Sequence, residues 1–226
     1  VDQGYTVFVV SWVNPDESYR DVSMTDYVED GYLTAIAQVK EICDVPQVNA
    51  VGYCIAGTTL SLALGVMAQR NDNSVNSATF FTTLTDFSDR GEVGVFLDND
   101  FVDGIEAEVG ESGMLSSFYM SRTFSYLRSN DLIYGPAIKS YMLGKAPPAF
   151  DLLYWNADST RMPRETHLFY LREMYIKNNL STPGGITLKG VPIDLSKVTI
   201  PIYLQAAKED HIAPYPSVFK STALYS

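Results

Sequence analysis

A cysteine at position 54 stands two residues after Gly52 and two before Ala56, with Gly57 next, where an apolar run beginning at Val48 passes into a helix-like one through Leu60. That spacing suits a nucleophile on a tight strand-to-helix turn, because backbone packed closely around the attacking atom demands small residues on both sides. Sulfur in place of a serine oxygen points to acyl groups carried as thioesters, since a thiolate and a thioester exchange at little thermodynamic cost. A helix starting behind the cysteine turns its free N–H groups toward the sulfur. It is therefore expected to lower the thiol pKa, and the Ile55 amide is the natural first donor to an oxyanion.

The remaining candidates are few. Asp210, in Lys208-Glu209-Asp210-His211, follows the apolar run Ile200 to Ala207. The carboxyl ends of strands are where open α/β sheets carry ligands and catalysis, so Asp210 either orients a catalytic histidine or ends the strand as a turn residue. His211 is its neighbour in sequence and so points elsewhere, which makes it a weak base and a better packing or interface residue. His167 falls in a helical pattern with Phe169, Tyr170, Met174 and Tyr175 and reads as a packing or surface histidine. No cluster of Cys, His or carboxylates has metal-ligand spacing, so no metal is expected. A strand between Cys43 and Cys54 would hold them about 20 Å apart, too far for a disulfide. Cys43 reads instead as a small buried hydrophobe.

These residues need a frame to hold them. Val7 to Trp12 is apolar, β-branched and aromatic, and the turn signal Asn14-Pro15-Asp16 closes it, which predicts a buried parallel strand. Thr25 or Asp26 is expected to cap a helix with apolar positions Val28, Tyr32, Ala35, Ile36, Val39 and Ile42, ending at Pro46. Val48 to Gly52 and Ala78 to Leu84 read as strands on either side of a helix apolar on most faces. The order strand, helix, strand, helix, strand over residues 1–87 signals a parallel sheet, and with the elbow it gives an α/β-hydrolase fold. Residues 88–182, rich in Tyr and Phe with Gly, Pro and Asn punctuation, read as an inserted, mainly helical cap. The core resumes over 183–226 with the strand at Ile200 and a helix from Pro216 to Leu224.

Composition narrows the function classes. The chain has 226 residues, 46 % hydrophobic and 19 % charged, enough to bury a substantial core. A net charge of −11 lacks the basic footprint that nucleic-acid binding requires. No run approaches a membrane span and the start lacks the layout of a signal peptide, so a cytoplasmic location is expected.

Seven ordered blocks resemble the polyhydroxyalkanoate synthases, the class I short-chain enzymes most closely. They are Phe8 to Pro15 (FVVSWVNP), Gly52 to Thr58 (GYCIAGT), Thr82 to Phe87 (TTLTDF), Phe124 to Leu132 (FSYLRSNDL), Phe150 to Asp158 (FDLLYWNAD), Gly190 to Leu195 (GVPIDL) and Glu209 to Ile212 (EDHI). The resemblance implies an acyltransferase in which Cys54 takes the acyl group of a (R)-3-hydroxyacyl-CoA, 3-hydroxybutyryl-CoA above all. CoA is released and the chain passes to the next monomer's hydroxyl. Asp210 matches the family's catalytic aspartate, which orients a histidine or assists deprotonation of the incoming hydroxyl. The CoA thioester is substrate and no cofactor is implied; the partners implied are the growing polyester, a second copy in a homodimer and the granule surface. The Phe124 and Phe150 blocks are expected to gate or line the site. Arg128 is the cation singled out for CoA phosphates, with Trp155 beside it as a candidate lining residue and His211 as a third.

Two departures from the family pattern are Ala56, where the elbow usually has glycine, and Val13, where many relatives have arginine. The family histidine has no counterpart before Ser226, so the chain reads as truncated before the histidine loop and inactive by itself. A cysteine-elbow thioesterase or depolymerase, or a non-catalytic granule-associated relative, are the alternatives.

Overall fold

The structure is a computed structural model, and it describes residues 2–95, 97–110, 112–116, 130–146 and 160–226. Its centre is a parallel three-stranded sheet of β1 (Val48–Tyr53), β2 (Val75–Phe81) and β3 (Ile202–Gln205), with β2 in the middle. Gly52 pairs with Phe80 and Tyr53 with Phe81; on the other side Ala78 pairs with Ile202 and Phe81 with Gln205. All three carboxyl ends therefore lie at one edge of the sheet.

The chain enters through α1, which is α-helical over Met24–Asp26, π-helical over Tyr27–Leu33 and α-helical again over Thr34–Cys43. Its cap is Ser23, not Thr25 or Asp26. Ser23 and Asp26 form a reciprocal capping box, Asp26 accepting from the Ser23 amide at 2.8 Å. Helix α2 (Ile55–Gln69) connects β1 to β2 and is buried without interruption from Gly57 to Met67. It is apolar all round because it has two partners. Leu60, Leu64 and Met67 join Val75, Ala78 and Phe80 of the sheet in one cluster, while Leu62, Ala63 and Val66 join a second cluster with Met24, Val28, Leu168, Leu171 and Met174.

Between β2 and β3 come α3 (Asn99–Val109), α4 (Asn130–Tyr134, Gly135–Ala137 and Ile138–Met142 in succession) and α5 (Arg164–Phe169 continued by π-helical Tyr170–Ile176). The described strands here are only two residues long, Met114–Leu115 against Met162–Pro163 and Thr187–Leu188 against Val191–Pro192. Leu97, Val102, Leu168, Leu171 and Met174 pack into the same cluster as α2, so this segment shares the core. On the surface, Glu106 of α3 accepts from Arg164 at 3.0 Å and from Arg172 at 2.6 Å. Helix α6 (Tyr215–Lys220) follows β3.

The expected first strand does not form. Val7 to Trp12 is not a buried strand: the segment joins no ladder and is exposed throughout. A β-branched run becomes a strand only when a neighbour pairs its N–H and C=O groups, and among the described residues β1 pairs with β2 alone. Trp12 ties the segment down, its ring 5.0 Å edge-on from Tyr27 and 5.7 Å from Tyr32. Gly31 makes room for it, since a Cβ there would fall 2.5 Å from the Trp12 ring. Cys43 is half-buried rather than buried, and both cysteines are free thiols.

Candidate active site

Strand β1 runs directly into Cys54, whose amide extends the ladder by donating to the Phe81 carbonyl at 3.0 Å. The chain then reverses. Cys54 adopts φ 54° and ψ −127°, and its carbonyl accepts from Gly57 at 2.9 Å and Thr58 at 3.2 Å to start α2. A non-glycine residue in this region costs on the order of 1–3 kcal/mol, which the surrounding packing must hold in place. Gly52 and Gly57 supply that packing: a Cβ on Gly52 would lie 2.5 Å from the Gly57 Cα, and one on Gly57 would collide with the Thr83 side chain. Thr58 donates to the Leu84 carbonyl at 2.7 Å and Tyr32 to the Ala56 carbonyl at 2.8 Å. These bonds pin the first turn of α2 to the loop after β2 on one side and to α1 on the other. Ala56 in place of glycine leaves the turn intact.

Burial pushes the Cys54 thiol above its ordinary pKa; the Ile55 amide facing the sulfur pulls it down, and the Asp210 carboxylate pushes it up again. The net direction is upward. This corrects the expectation from the helix N-terminus alone, because desolvation of a thiolate outweighs one amide and a helix end. The surroundings of Cys54 thus favour the thiol over the thiolate, with the Ile55 amide the backbone group that works the other way.

Asp210 lies past the end of β3, near enough to Cys54 for its charge to act on the thiol. It also has the turn role foreseen as its alternative, because Oδ1 accepts from the Ile212 and Ala213 amides, both at 2.9 Å. The two roles are compatible: two amides fix the carboxylate while Oδ2 takes part in neither bond. His211 offers its backbone carbonyl to the Glu92 amide at 3.1 Å and is half-buried. His167 lies inside the protein at 6 % exposure, its Nδ1 without a hydrogen-bond partner and its pKa pushed down to about 4 by burial. Arg128 and Trp155 lie outside the described residues.

Tyr170 and Tyr175 lie on the π-helical part of α5, and burial above all pushes both phenols up, with a charge at Cys54 a smaller cause. Their rings stand 5.3 Å apart at 83°, with Phe87 4.9 Å from Tyr175 and 6.1 Å from Tyr170. The sequence reading placed both in the helical pattern around His167 and gave them no part near Cys54. Among the described residues no group of three His, Cys, Asp or Glu side chains gathers as metal ligands. No described helix is long and apolar enough to cross a membrane.

A strained cysteine between a parallel strand and a buried helix, with an acid beyond a later strand, is the arrangement of an α/β-hydrolase site. The family model described as the alpha/beta hydrolase fold matches residues 1–221. Among curated proteins, the poly(3-hydroxyalkanoate) polymerase of Methylorubrum extorquens is 45 % identical over 225 residues, covering 100 % of this chain and 37 % of that protein. The poly(3-hydroxyalkanoate) polymerase subunit of Cupriavidus necator is 40 % identical over 229 residues, covering 99 % of this chain and 39 % of that one. The chain thus spans under two fifths of the length of these relatives. An α/β fold family hydrolase from Bacillus anthracis, 14 % identical, superposes with a TM-score of 0.45 over 93 % of this chain and 65 % of its own, a likeness too slight to add to the assignment. The chain belongs to the α/β-hydrolase fold family, and the relatives it matches along its whole length are poly(3-hydroxyalkanoate) polymerases.

Proposed function

We propose that the chain carries the catalytic core of a polymerase that joins (R)-3-hydroxyacyl groups from CoA thioesters, with Cys54 as the acyl carrier and Asp210 as its acidic partner. The observation that carries this reading is the backbone of Cys54, held at φ 54° where β1 turns into α2. Such strain is retained where a side chain must stand clear of the strand for attack.

In the first half-reaction Sγ bonds to the thioester carbon, the bond to the CoA sulfur breaks, and the thiol proton leaves on CoA. In the second, the 3-hydroxyl oxygen of an incoming monomer bonds to the acyl carbon, the bond to Sγ breaks, and the hydroxyl proton returns to the Cys54 thiol. The Ile55 amide supports the carbonyl oxygen as charge builds on it. Because the surroundings favour the thiol, attack needs a proton acceptor. Neither described histidine is placed for that task, so we assign it to a group outside the described residues, and Asp210 either orients that group or helps deprotonate the 3-hydroxyl. CoA is then a leaving group and no other cofactor takes part. A homodimer working in the cytoplasm at the surface of a polyester granule fits the relatives' products.

The test is made on the complete protein. With 3-hydroxybutyryl-CoA it should release free CoA and form insoluble polyester, and Cys54→Ala should abolish both. Polyester from the Cys54→Ala protein would overturn the reading; soluble 3-hydroxy acid as the only product would make the enzyme a thioesterase.

A further inference from the structure

The first turn of α2 takes more hydrogen bonds than the start of a helix requires. The Cys54 carbonyl accepts from the Gly57 amide at 2.9 Å and from the Thr58 amide at 3.2 Å. Each of these amides belongs to a peptide group whose own carbonyl accepts from a side-chain hydroxyl. The Tyr32 hydroxyl, reaching across from α1, donates to the Ala56 carbonyl at 2.8 Å, and the Ser61 hydroxyl donates to the Gly57 carbonyl at 3.0 Å. Two chains of hydrogen bonds therefore end on one oxygen, from Tyr32 through the peptide joining Ala56 to Gly57 and from Ser61 through the peptide joining Gly57 to Thr58.

A trans peptide is planar, with its C=O and N–H pointing opposite ways. Donors that draw the Cys54 carbonyl into the turn thus aim the Ile55 N–H outward, and an N–H at the first helical position has no acceptor within the helix. Drawing electron density toward the carbonyl also makes the N–H of the same peptide a better donor, and in a dry interior each link of such a chain strengthens the next by about 10–30 %. The interior is dry here, since Ser61 is fully buried and Thr58 nearly so.

Of the two chains, the one from Tyr32 depends on tertiary structure. A serine that bonds the carbonyl four residues back is common within helices. Tyr32, by contrast, comes from 24 residues before Ala56, and Trp12 holds its ring at 5.7 Å. Burial pushes the Tyr32 hydroxyl up to about 12, so it remains a donor at neutral pH. Thr83 reaches the Cys54 carbonyl directly at 3.4 Å, but its single proton has the nearer Phe81 carbonyl at 3.2 Å.

We propose that Tyr32, seconded by Ser61, is a positioning residue: through the first turn of α2 it fixes the direction of the Ile55 N–H and strengthens it as the donor to the acyl carbonyl oxygen under attack. The proposal rests on Cys54 and Ile55 acting as assigned above.

The complete protein is compared with its Tyr32→Phe and Ser61→Ala variants, each checked for folding by near-UV circular dichroism. In protein labelled with ¹⁵N-isoleucine, with Ile55→Val identifying the resonance, Tyr32→Phe should move the Ile55 amide proton upfield. Ser61→Ala should move it the same way by less, because its chain ends on the longer bond. With 3-hydroxybutyryl-CoA, Tyr32→Phe should lower kcat for CoA release about fivefold and leave KM within about twofold, since charge on the oxyanion is met only in the transition state. An Ile55 resonance that stays in place or moves downfield in both variants, an unchanged kcat, or a loss confined to KM would overturn the proposal. The resonance needs no substrate, so the two ideas separate: CoA release by Cys54→Ala would remove the acyl-carrier reading whatever the Ile55 amide does.

Discussion

Helix α2 and the segment from Tyr5 to Val13 are both written in apolar residues, yet one is buried and the other open. Leu62 is 0 % exposed and Val9 is 85 % exposed. The difference lies in partners: α2 has the sheet on one side and α1 with α5 on the other, while the N-terminal segment has the Trp12 contacts with Tyr27, Gly31 and Tyr32. Apolar sequence nominates a segment for the interior, and the elements around it decide. The proposed function follows the same division, since Cys54, its proposed nucleophile, sits at the head of the packed helix.

Acid should reveal the packed side most strongly. His167 lies on α5 beside Leu168, and burial holds it at about 4 against about 6.5 in an unfolded chain. As pH falls, unfolded chains take up the proton first. The stability gained by keeping His167 neutral is intact above about pH 6.5 and is lost as pH falls toward 4, a change of up to about 3 kcal/mol. Urea unfolding across this range checks it, and His167→Leu should flatten that part of the profile. Next in size is Gly57→Ala, whose added methyl meets the Thr83 side chain head-on and should cost about 2 kcal/mol by the same measurement. The smallest effect belongs to the open side: Val9→Ala should change stability by no more than about 0.5 kcal/mol. A loss there as large as at Gly57 would erase the contrast between the two regions.

The elbow was legible in sequence because its demand is local: small residues at 52, 56 and 57 reflect the crowding of one turn. The strands at Val48 and Ile200 were legible because β-branched and aromatic residues cluster there between turn signals, whereas the middle strand, read as Ala78 to Leu84, runs from Val75 to Phe81; all three are only partly buried, with Val51, Tyr53 and Tyr203 open. Asp210 could be placed because it follows one of them, but its bonds to the Ile212 and Ala213 amides could not be anticipated. The Val7 strand was misread because pairing depends on a neighbour that no residue in the run announces. The capping box was present as Ser23 and Asp26 and should have outweighed Thr25. The sign of the Cys54 shift needed the depth of burial, a tertiary quantity.

The acyl-carrying role of Cys54 is tested most directly by incubating the complete protein with 3-hydroxybutyryl-CoA, quenching in acid and mapping the peptides by mass spectrometry. A 3-hydroxybutyryl adduct on the peptide holding Cys54, released by hydroxylamine and absent from Cys54→Ala, is the predicted result. CoA release with Cys54 unmodified at every time sampled, or an adduct on another residue, would contradict it.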